Sequence, residues 1–582
     1  VARNRKFTTI CAVAVMALAG LAAAEEGLTV ATAPGQQQRG VSFGAAELRL
    51  TLQEAVTLAL EHNINLEVSR LSLARANEGI FAAAGIFDPY VSAAGDTSYS
   101  SSPSTNQLQG ATVSESRRRT FDLSFGTLLP TGTQAALTWT NARSETNSTF
   151  YYLNPNYNST LGLTITQPLL QGFGTDVNRN GIEVARKSGE ISRLQFEEIV
   201  IATVQQVENA YWDLVYAIEN LKVKEQSLAL ARDLLDQTRT RVRIGTSAPI
   251  DIVQSEATVA AREQDIIVAE HAVLEAQDVL KGLMGFETLQ DWASRIVPVN
   301  SLQVDRTPVA LEEAVAAAFA RRTELKQDEI QRQIARMNLV VAENNVRPQL
   351  DLVLGYGLQG VGGTLEYTDP VTGNPVTVPG GWDDALEMLR DADYDQWTAA
   401  VNLRYPLGNT QAKAQRVQAR YSLRSAEQVV AAQRQTVIQQ VRRAVRAIES
   451  SGKSIDAAVK ARELAERNLD AEQKKFANGM STNYQVLKIQ EDLAMAQAAE
   501  LNARVVYRRS VVGYNVATGT LLDVMGVALR GEEAREEPHT LWKDVKWLQF
   551  GHWADVDEKE GAGDGAEDQA EKAPAPAKEQ GQ

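Results

Sequence analysis

The chain has 582 residues, enough for more than one ordinary domain, and 44% of them are hydrophobic. Its formal net charge of −15 excludes a nucleic-acid partner, because neutralising phosphates requires a basic face. It gives no sign of a basic binder of membrane surfaces either.

At the N-terminus Arg3, Arg5 and Lys6 form a basic start, Phe7 to Leu21 is nearly all apolar, and Ala22-Ala23-Ala24 precedes Glu25. This order predicts a cleaved signal peptide over 1–24. As a membrane anchor the apolar run is short for the roughly 20 residues a span needs. The single cysteine, Cys11, lies inside this segment behind Thr9 and Ile10. It is therefore not a lipidation site, and the mature chain is expected to lack thiol chemistry and thiolate metal sites. Residues 25–47 read as a linker. No later stretch offers 18 consecutive apolar residues, so any membrane crossing has to be made by β-strands.

From there the chain repeats itself. Leu52-Gln53-Glu54-Ala55-Val56 is echoed by Leu311-Glu312-Glu313-Ala314-Val315. The same spacing pairs Leu66 with Leu325, Ile80 with Leu339, Ala83 with Ala342 and Pro89 with Pro348. Later in each copy Gly245 matches Gly479, Ser247 matches Ser481, Val253 matches Leu487 and Gly285 matches Gly519. Internal similarity of this kind marks a duplicated structural unit. The expected organisation is a first strand–helix repeat over 48–286, a linker over 287–308 and a second repeat over 309–522. A C-terminal segment over 523–582 ends in a disordered acidic tail, with Trp542, Trp547 and Trp553 packed on the folded body.

Each repeat reads in one order. A helix of about 35 residues ends near Pro89 or Pro348, because proline disfavours helix at the residue before it. A strand-rich section follows and closes at Pro168 or Pro406. A very long helix, a short glycine-containing break and a second long helix complete the repeat. The strands alternate with period two. Phe121, Leu123, Phe125 and Thr127 share one face, as do Leu161, Leu163 and Ile165, and as do Trp397, Ala399, Val401, Leu403 and Tyr405. Pro130-Thr131-Gly132 suits a tight turn between strands. Four strand segments are expected in the first half and two in the second. Stretches 102–118, 145–157 and 360–394, rich in Ser, Thr, Asn, Gly or Asp, read as exposed loops.

In the first long helix Val200, Val207, Leu214, Leu221, Leu228, Leu235 and Val242 fall on every seventh residue. The second copy repeats the step with Val441, Ile448, Ile455, Leu469 and Phe476, broken only by Arg462. A sustained seven-residue repeat keeps one seam facing a partner and favours left-handed supercoiling. Ala210, Ala217 and Ala231 beside the seam permit close helix approach. A helix from about Val177 to Arg243 is on the order of 100 Å long at about 1.5 Å per residue, a length suited to crossing a periplasm.

Little here suggests catalysis. Gly355-Tyr356-Gly357-Leu358-Gln359-Gly360 fits the dinucleotide-binding template only on paper, since Val361-Gly362-Gly363 opens no helix. His62, His271, His539 and His552 have no metal-ligand spacing, and His271 beside Glu270 reads as a solvated face. Glu312-Glu313 sits at a helix start and Asp383-Asp384 in a loop, where charge needs no catalytic reason. No cofactor and no metal are expected. Two helix breaks remain. Arg243-Ile244-Gly245-Thr246-Ser247-Ala248-Pro249-Ile250-Asp251 and Ala477-Asn478-Gly479-Met480-Ser481-Thr482 combine a helix-ending glycine with Ser, Thr or Asp able to cap the next helix.

Taken in order, the signal segment, the duplication, the junction prolines and the glycine tips resemble the TolC family of outer-membrane efflux factors. Gln167-Pro168-Leu169-Leu170, Arg243-Ile244-Gly245 with Asp251-Ile252, and Tyr514-x-x-Ala517-x-Gly519-Thr520-Leu521 are the particular echoes, and the similarity covers about 48–522. The resemblance implies an α+β membrane protein, with a trimeric shared β-barrel in the outer membrane and a long α-helical coiled-coil barrel crossing the periplasm. It implies a non-enzymatic homotrimer in contact with outer-membrane lipid, serving an inner-membrane RND or ABC transporter. A periplasmic adaptor, or membrane fusion protein, would grip the tips at Ile244, Gly245, Thr246, Ser247, Asn478, Gly479, Met480 and Ser481. Asp251 matches the acidic periplasmic aperture of such proteins. Gln485 and Lys488 stand in the second tip, so a fully acidic aperture is not implied, and the residues flanking each glycine depart from the commonest family form. The competing reading is a trimeric coiled-coil adhesive stalk anchored in the outer membrane, which the duplication disfavours.

Overall fold

The computed structural model describes residues 31–32, 47–104, 112–148, 151–304, 306 and 309–528. The expected signal segment, most of the 25–47 linker, and the tail with its three tryptophans lie outside them.

In chain order, β1 (Ala31–Thr32) and β2 (Leu48–Leu50) precede helices α1 (Leu52–His62) and α2 (Ile64–Ala84). Four long strands follow: β3 (Tyr90–Pro103), β4 (Val113–Leu128), β5 (Gln134–Thr146) and β6 (Leu153–Pro168). The short α3 (Thr175–Asn178) leads into α4 (Asn180–Arg243), and a turn joins that to α5 (Ile250–Leu283). After α6 (Leu289–Trp292) and β7 (Ile296–Pro298) come α7 (Leu311–Arg321), α8 (Thr323–Asn344) and β8 (Gln349–Thr368). The chain continues through β9 (Pro375–Val378), α9 (Trp382–Asp391), β10 (Asp395–Arg404) and α10 (Thr410–Ala477). It ends with α11 (Asn483–Thr518), α12 (Leu521–Met525) and β11 (Val527–Ala528), the last paired with β1.

The chain divides into two compact units, each drawing on both halves of the sequence. One unit, whose described residues fall within 31–79, 186–333 and 424–528, is mainly helical. There α1 starts at a capping box: the Thr51 hydroxyl accepts from the Glu54 N–H at 3.3 Å, and the Glu54 carboxylate accepts from the Thr51 N–H at 2.8 Å. The single helix expected after it is two helices. At Asn63 the backbone turns extended, and the Asn63 side chain accepts from the Asn65 N–H and donates to the Leu283 carbonyl, both at 2.9 Å. Arg322 makes the same break in the second half, its guanidinium held by Glu324 and Gln440. The linker between the repeats is likewise structured, because β7 pairs in parallel with β2.

The heptad seam is where the core sits. Val200, Val207, Leu214, Leu228 and Leu235 are buried, as are Val441, Ile448, Ile455, Leu469 and Phe476, with Ala210, Ala217 and Ala231 packed beside them. Arg462, the break in the pattern, ion-pairs with Glu500 at 2.5 Å and Glu466 at 2.7 Å. Glu500 itself is only 5% exposed; Arg462 therefore neutralises a buried carboxylate, whose desolvation would otherwise be costly.

The second unit (Ile80–Ala185 and Ile334–Leu423) holds an antiparallel sheet in the order β10-β8-β6-β5-β4-β3, with β9 paired to β8. Much of what reads as loop in 102–118, 145–157 and 360–394 is strand, and the last stretch also contains α9. Ladder hydrogen bonds do not depend on apolar side chains, so small polar residues extend these strands beyond the part that composition reveals. Gly355 to Gly360 lies inside β8. Asp383 and Asp384 are in the first turn of α9 rather than in a loop, where they suit the positive end of the helix dipole.

The register sorts the faces. Phe125, Leu137, Leu163, Tyr356 and Trp397 stand in one row across β4, β5, β6, β8 and β10. Leu123, Trp139, Leu161 and Leu358 form the next row on that face. The opposite face carries Ser124, Thr138, Gly162, Gly357 and Gln396 in a comparable row. The apolar row is exposed in the chain, with Trp397 at 76%. Helix α9 lies on this same face: a Cβ at Gly360 would stand 1.9 Å from the Ala385 carbonyl oxygen, and one at Gly362 would stand 2.1 Å from that of Gly381. Only glycine admits a helix this close. Trp382 of α9 stacks on Trp139 and donates to the Asn141 side-chain oxygen at 3.1 Å.

The junction prolines frame the sheet. Pro89 and Pro348 immediately precede β3 and β8, Pro168 is the last residue of β6, and Pro406 lies two residues past β10. Among the described residues no helix is long and apolar enough to cross a membrane.

Candidate site at the paired helical hairpin tips

Both helix breaks are tight hairpin turns with one backbone geometry. Gly245 has φ +81° and Gly479 φ +74°, the left-handed region that ends helices and that glycine enters without steric cost. The Gly245 N–H donates to the Val242 carbonyl at 3.1 Å, and the Thr246 N–H to that of Arg241 at 2.9 Å. At the second tip the Gly479 N–H donates to the Phe476 carbonyl at 3.1 Å, and the Met480 N–H to that of Lys475 at 2.9 Å.

The following helices start differently. Thr482 caps α11, its hydroxyl accepting from the Gln485 N–H at 3.3 Å. Pro249 precedes α5 and supplies no side-chain cap. Asp251, in the first turn, instead accepts from the Ala248 N–H at 3.2 Å. Ser481 donates to Glu472 at 2.5 Å, and Lys475 pairs with the same carboxylate at 3.1 Å. The Ser481 hydroxyl first, and then Lys475, hold Glu472 below the usual carboxylate range.

One chain brings the two tips together. Asn483, 3% exposed, donates to the Ser255 hydroxyl at 2.7 Å and the Asp251 carbonyl at 3.2 Å, and accepts from Thr238 at 3.2 Å. The Arg241 guanidinium donates to the Phe476 carbonyl at 2.6 Å and lies 4.0 Å from the Phe476 ring centroid. Beneath these contacts Leu234, Leu469, Phe476, Val486, Leu487, Ile489 and Leu493 form one apolar cluster.

Of the residues singled out from sequence, Ile244, Gly245, Thr246 and Ser247 form the first turn, and Asn478, Gly479, Met480 and Ser481 the second. Ile244 and Met480 are 67% and 71% exposed, so each tip presents an apolar side chain to its surroundings. Asp251 is half-buried, whereas Gln485 and Lys488 are exposed. No hydrogen bond or ion pair among the described residues joins the Asp251 carboxylate to either of them. Arg241, Thr238, Ser255, Glu472 and Asn483, which lock the tips, escaped the sequence reading. Thr238 and Glu472 stand four residues before seam members Val242 and Phe476, so polar residues one turn from a seam were the available signal.

Among the described residues no cluster of His, Cys, Asp and Glu could hold a metal ion. His271 is exposed, 3.6 Å from Glu275.

A strand meander with one apolar and one small-polar face, combined with long helical hairpins, is the fold of an outer-membrane channel. The chain belongs to the outer membrane efflux protein family, which it matches over residues 55–286 and 314–520. It is 26% identical over 353 residues to the outer membrane protein TolC of Vibrio cholerae serotype O1, covering 60% of this chain and 74% of that one. TolC of Escherichia coli K12 is 23% identical over 406 residues, with 68% and 75% covered. The pyoverdine export outer membrane protein OpmQ of Pseudomonas putida matches 31% of this chain and 37% of its own length at 23% identity. The fold is shared with the solved outer-membrane channel OprN, at a TM-score of 0.58 and 14% identity over 81% of this chain and 90% of that one. It is also shared with the Campylobacter jejuni channel CmeC, at 0.58 and 13% over 91% and 97%.

Proposed function

We propose that this chain is one protomer of a passive trimeric outer-membrane duct, built from repeats 48–286 and 309–522 after removal of 1–24 and without lipidation. It exports drugs, toxins or polypeptides delivered by an inner-membrane RND or ABC transporter, and hydrolyses nothing. A periplasmic adaptor docks on the turns at Gly245 and Gly479. The single observation that carries this reading is the open sheet: β3 and β10 are its two edges, each paired on one side only. Long unpaired edges invite pairing with another chain. The meander has six long strands among the described residues, an even number, so β3 and β10 run in opposite directions. Successive copies can therefore close a ring by antiparallel β3-to-β10 pairing. Three copies give eighteen strands, a size that leaves an aqueous channel, with Ser, Thr, Gly and Ala facing the lumen and the apolar rows facing lipid.

Cysteine pairs placed along β3 and β10 test this closure, for example at Ala93 and at positions from Trp397 to Val401. Oxidation is expected to yield covalent trimers from at least one register. Monomers at every register would sink the ring. Docking is tested by Arg243→Glu with Lys474→Glu beside the two glycines: export should be lost while trimers still form. Undiminished export would remove the tips from the docking role.

A further inference from the structure

The outward face of β4 and β5 carries a feature that a duct does not require. Its register places Arg119 directly opposite Arg143, and Arg117 opposite Glu145. All four lie on the face of Phe121, Leu123 and Phe125, two residues being one step along a strand face. Arg118 points to the opposite, lumen-side face. Like charges directly opposite one another in a sheet destabilise it. Arg143 is engaged by Glu145 and by the Tyr157 hydroxyl at 3.0 Å. Arg117 and Arg119 have no ion pair among the described residues, and both are exposed. The other acidic groups on this side include Glu115, Asp395 and the carboxylates of α9, none of which is paired with the three arginines.

Their height is equally informative. The apolar rows run along β8 from Leu350 to Leu358, and one mixed row above them, Gly360, Ser159, Asn141 and Phe121, completes the span from Leu350 to Gly360. Ten residues rise about 34 Å along a strand, or about 25 Å along the membrane normal at a tilt near 40°, which is the height of the apolar band of such barrels. Arg119 and Arg143 occupy the next row up, and Arg117 the one beyond. Tyr99 and Tyr157 flank them, with the Arg117 and Arg143 guanidiniums 5.9 Å and 5.7 Å from the tyrosine ring centroids. Aromatic residues at this level mark the membrane–water interface.

We propose that Arg117, Arg119 and Arg143 form a binding site for the phosphate groups of anionic lipid in the outer leaflet, each phosphate bridging the facing arginines of β4 and β5. This rests on the apolar face being the lipid face, as in the duct reading. A planar guanidinium grips a phosphate through two parallel hydrogen bonds. An anion between Arg119 and Arg143 also removes the cross-strand repulsion. The phosphate belongs to a lipid because the site lies one row above the hydrocarbon level, where headgroups sit.

The test uses the full-length protein in detergent, with lipid binding read by native mass spectrometry. The probes are bisphosphorylated lipid A, its dephosphorylated form, phosphatidylcholine and inorganic phosphate. Arg119→Ala with Arg143→Ala is expected to weaken the bisphosphorylated lipid at least roughly tenfold, the loss of charge-assisted hydrogen bonds, and to leave the dephosphorylated lipid and zwitterionic phosphatidylcholine unchanged. Arg119→Lys should recover part of the affinity, and Arg118→Ala should behave as the unaltered chain. Equal binding by all variants, equal loss in Arg118→Ala, or competition by inorganic phosphate as strong as by lipid would each overturn the site. A fluorophore on Leu163→Cys separates this from the duct reading. Absence of quenching by brominated acyl chains in vesicles would refute the barrel itself, whereas quenching combined with indifferent lipid binding refutes only the arginine site.

Discussion

The two hairpin tips share a backbone turn and differ in what holds it. The second is cross-braced: Thr482 caps its outgoing helix, Ser481 and Lys475 fasten Glu472, and Asn483 reaches into the other hairpin. The first has a proline entry, an aspartate bonded to its own turn, and exposed Ile244, Ile250 and Val253. Duplication has thus preserved the geometry and let the chemistry diverge. One tip anchors the pair while the other presents the larger apolar surface. The difference teaches that equal position in a repeat does not mean equal role.

Asn483→Leu strikes at the anchor. Removing its three buried hydrogen bonds should cost about 2–4 kcal/mol, read as faster amide exchange in 238–255 as well as 476–490. If only the second tip loosens, the tips are independent and the comparison fails. Gly245→Val and Gly479→Val should each cost about 1–2 kcal/mol in thermal or denaturant unfolding, because a side chain must enter the left-handed region. A Cβ at either position meets nothing within 4 Å, so the two costs should match; a large inequality would show that the turns are not equivalent.

The subtlest expected effect concerns pH. Glu472 is held below its ordinary carboxylate value, so its contribution is present above that value and lost as the pH falls through the lower, folded one. Exchange at 478–483 should quicken below about pH 4, and Glu472→Gln should abolish that dependence. Glu208 on α4 has the opposite sign. Burial raises it to about 7, only partly offset by the Trp212 indole and Arg508, so stability there declines as the pH rises from the unfolded carboxylate range through 7. Acid loosening confined to the second tip is therefore distinguishable from a general response of the helices.

The helical half of this picture was legible because its burial is periodic. Seven-residue spacing marks Val207, Leu214 and Val441 as a seam facing a partner helix, and all three are buried. The apolar strand face was legible for the same reason. The upper strands were not: Ser114, Ser116, Asn156 and Gly360 belong to the ladder through backbone bonds that leave no mark in composition. The break at Asn63 was hidden too, since its partner, the Leu283 carbonyl, is 220 residues away. The tip glycines could be read from conformational need alone. Asn483 could not, because its importance lies in what the other hairpin brings to it.

The even strand counts carry a last consequence. Among the described residues, four long strands in the first half and two in the second mean that the polypeptide leaves the sheet on the rim where it entered. A sheet of this design can widen or narrow by whole hairpins, inserted or deleted between two junction prolines, without changing the rim on which the chain enters and leaves it. Sheet width is thereby an independently heritable trait, free to change while the helical part of the sequence stays under its own selection.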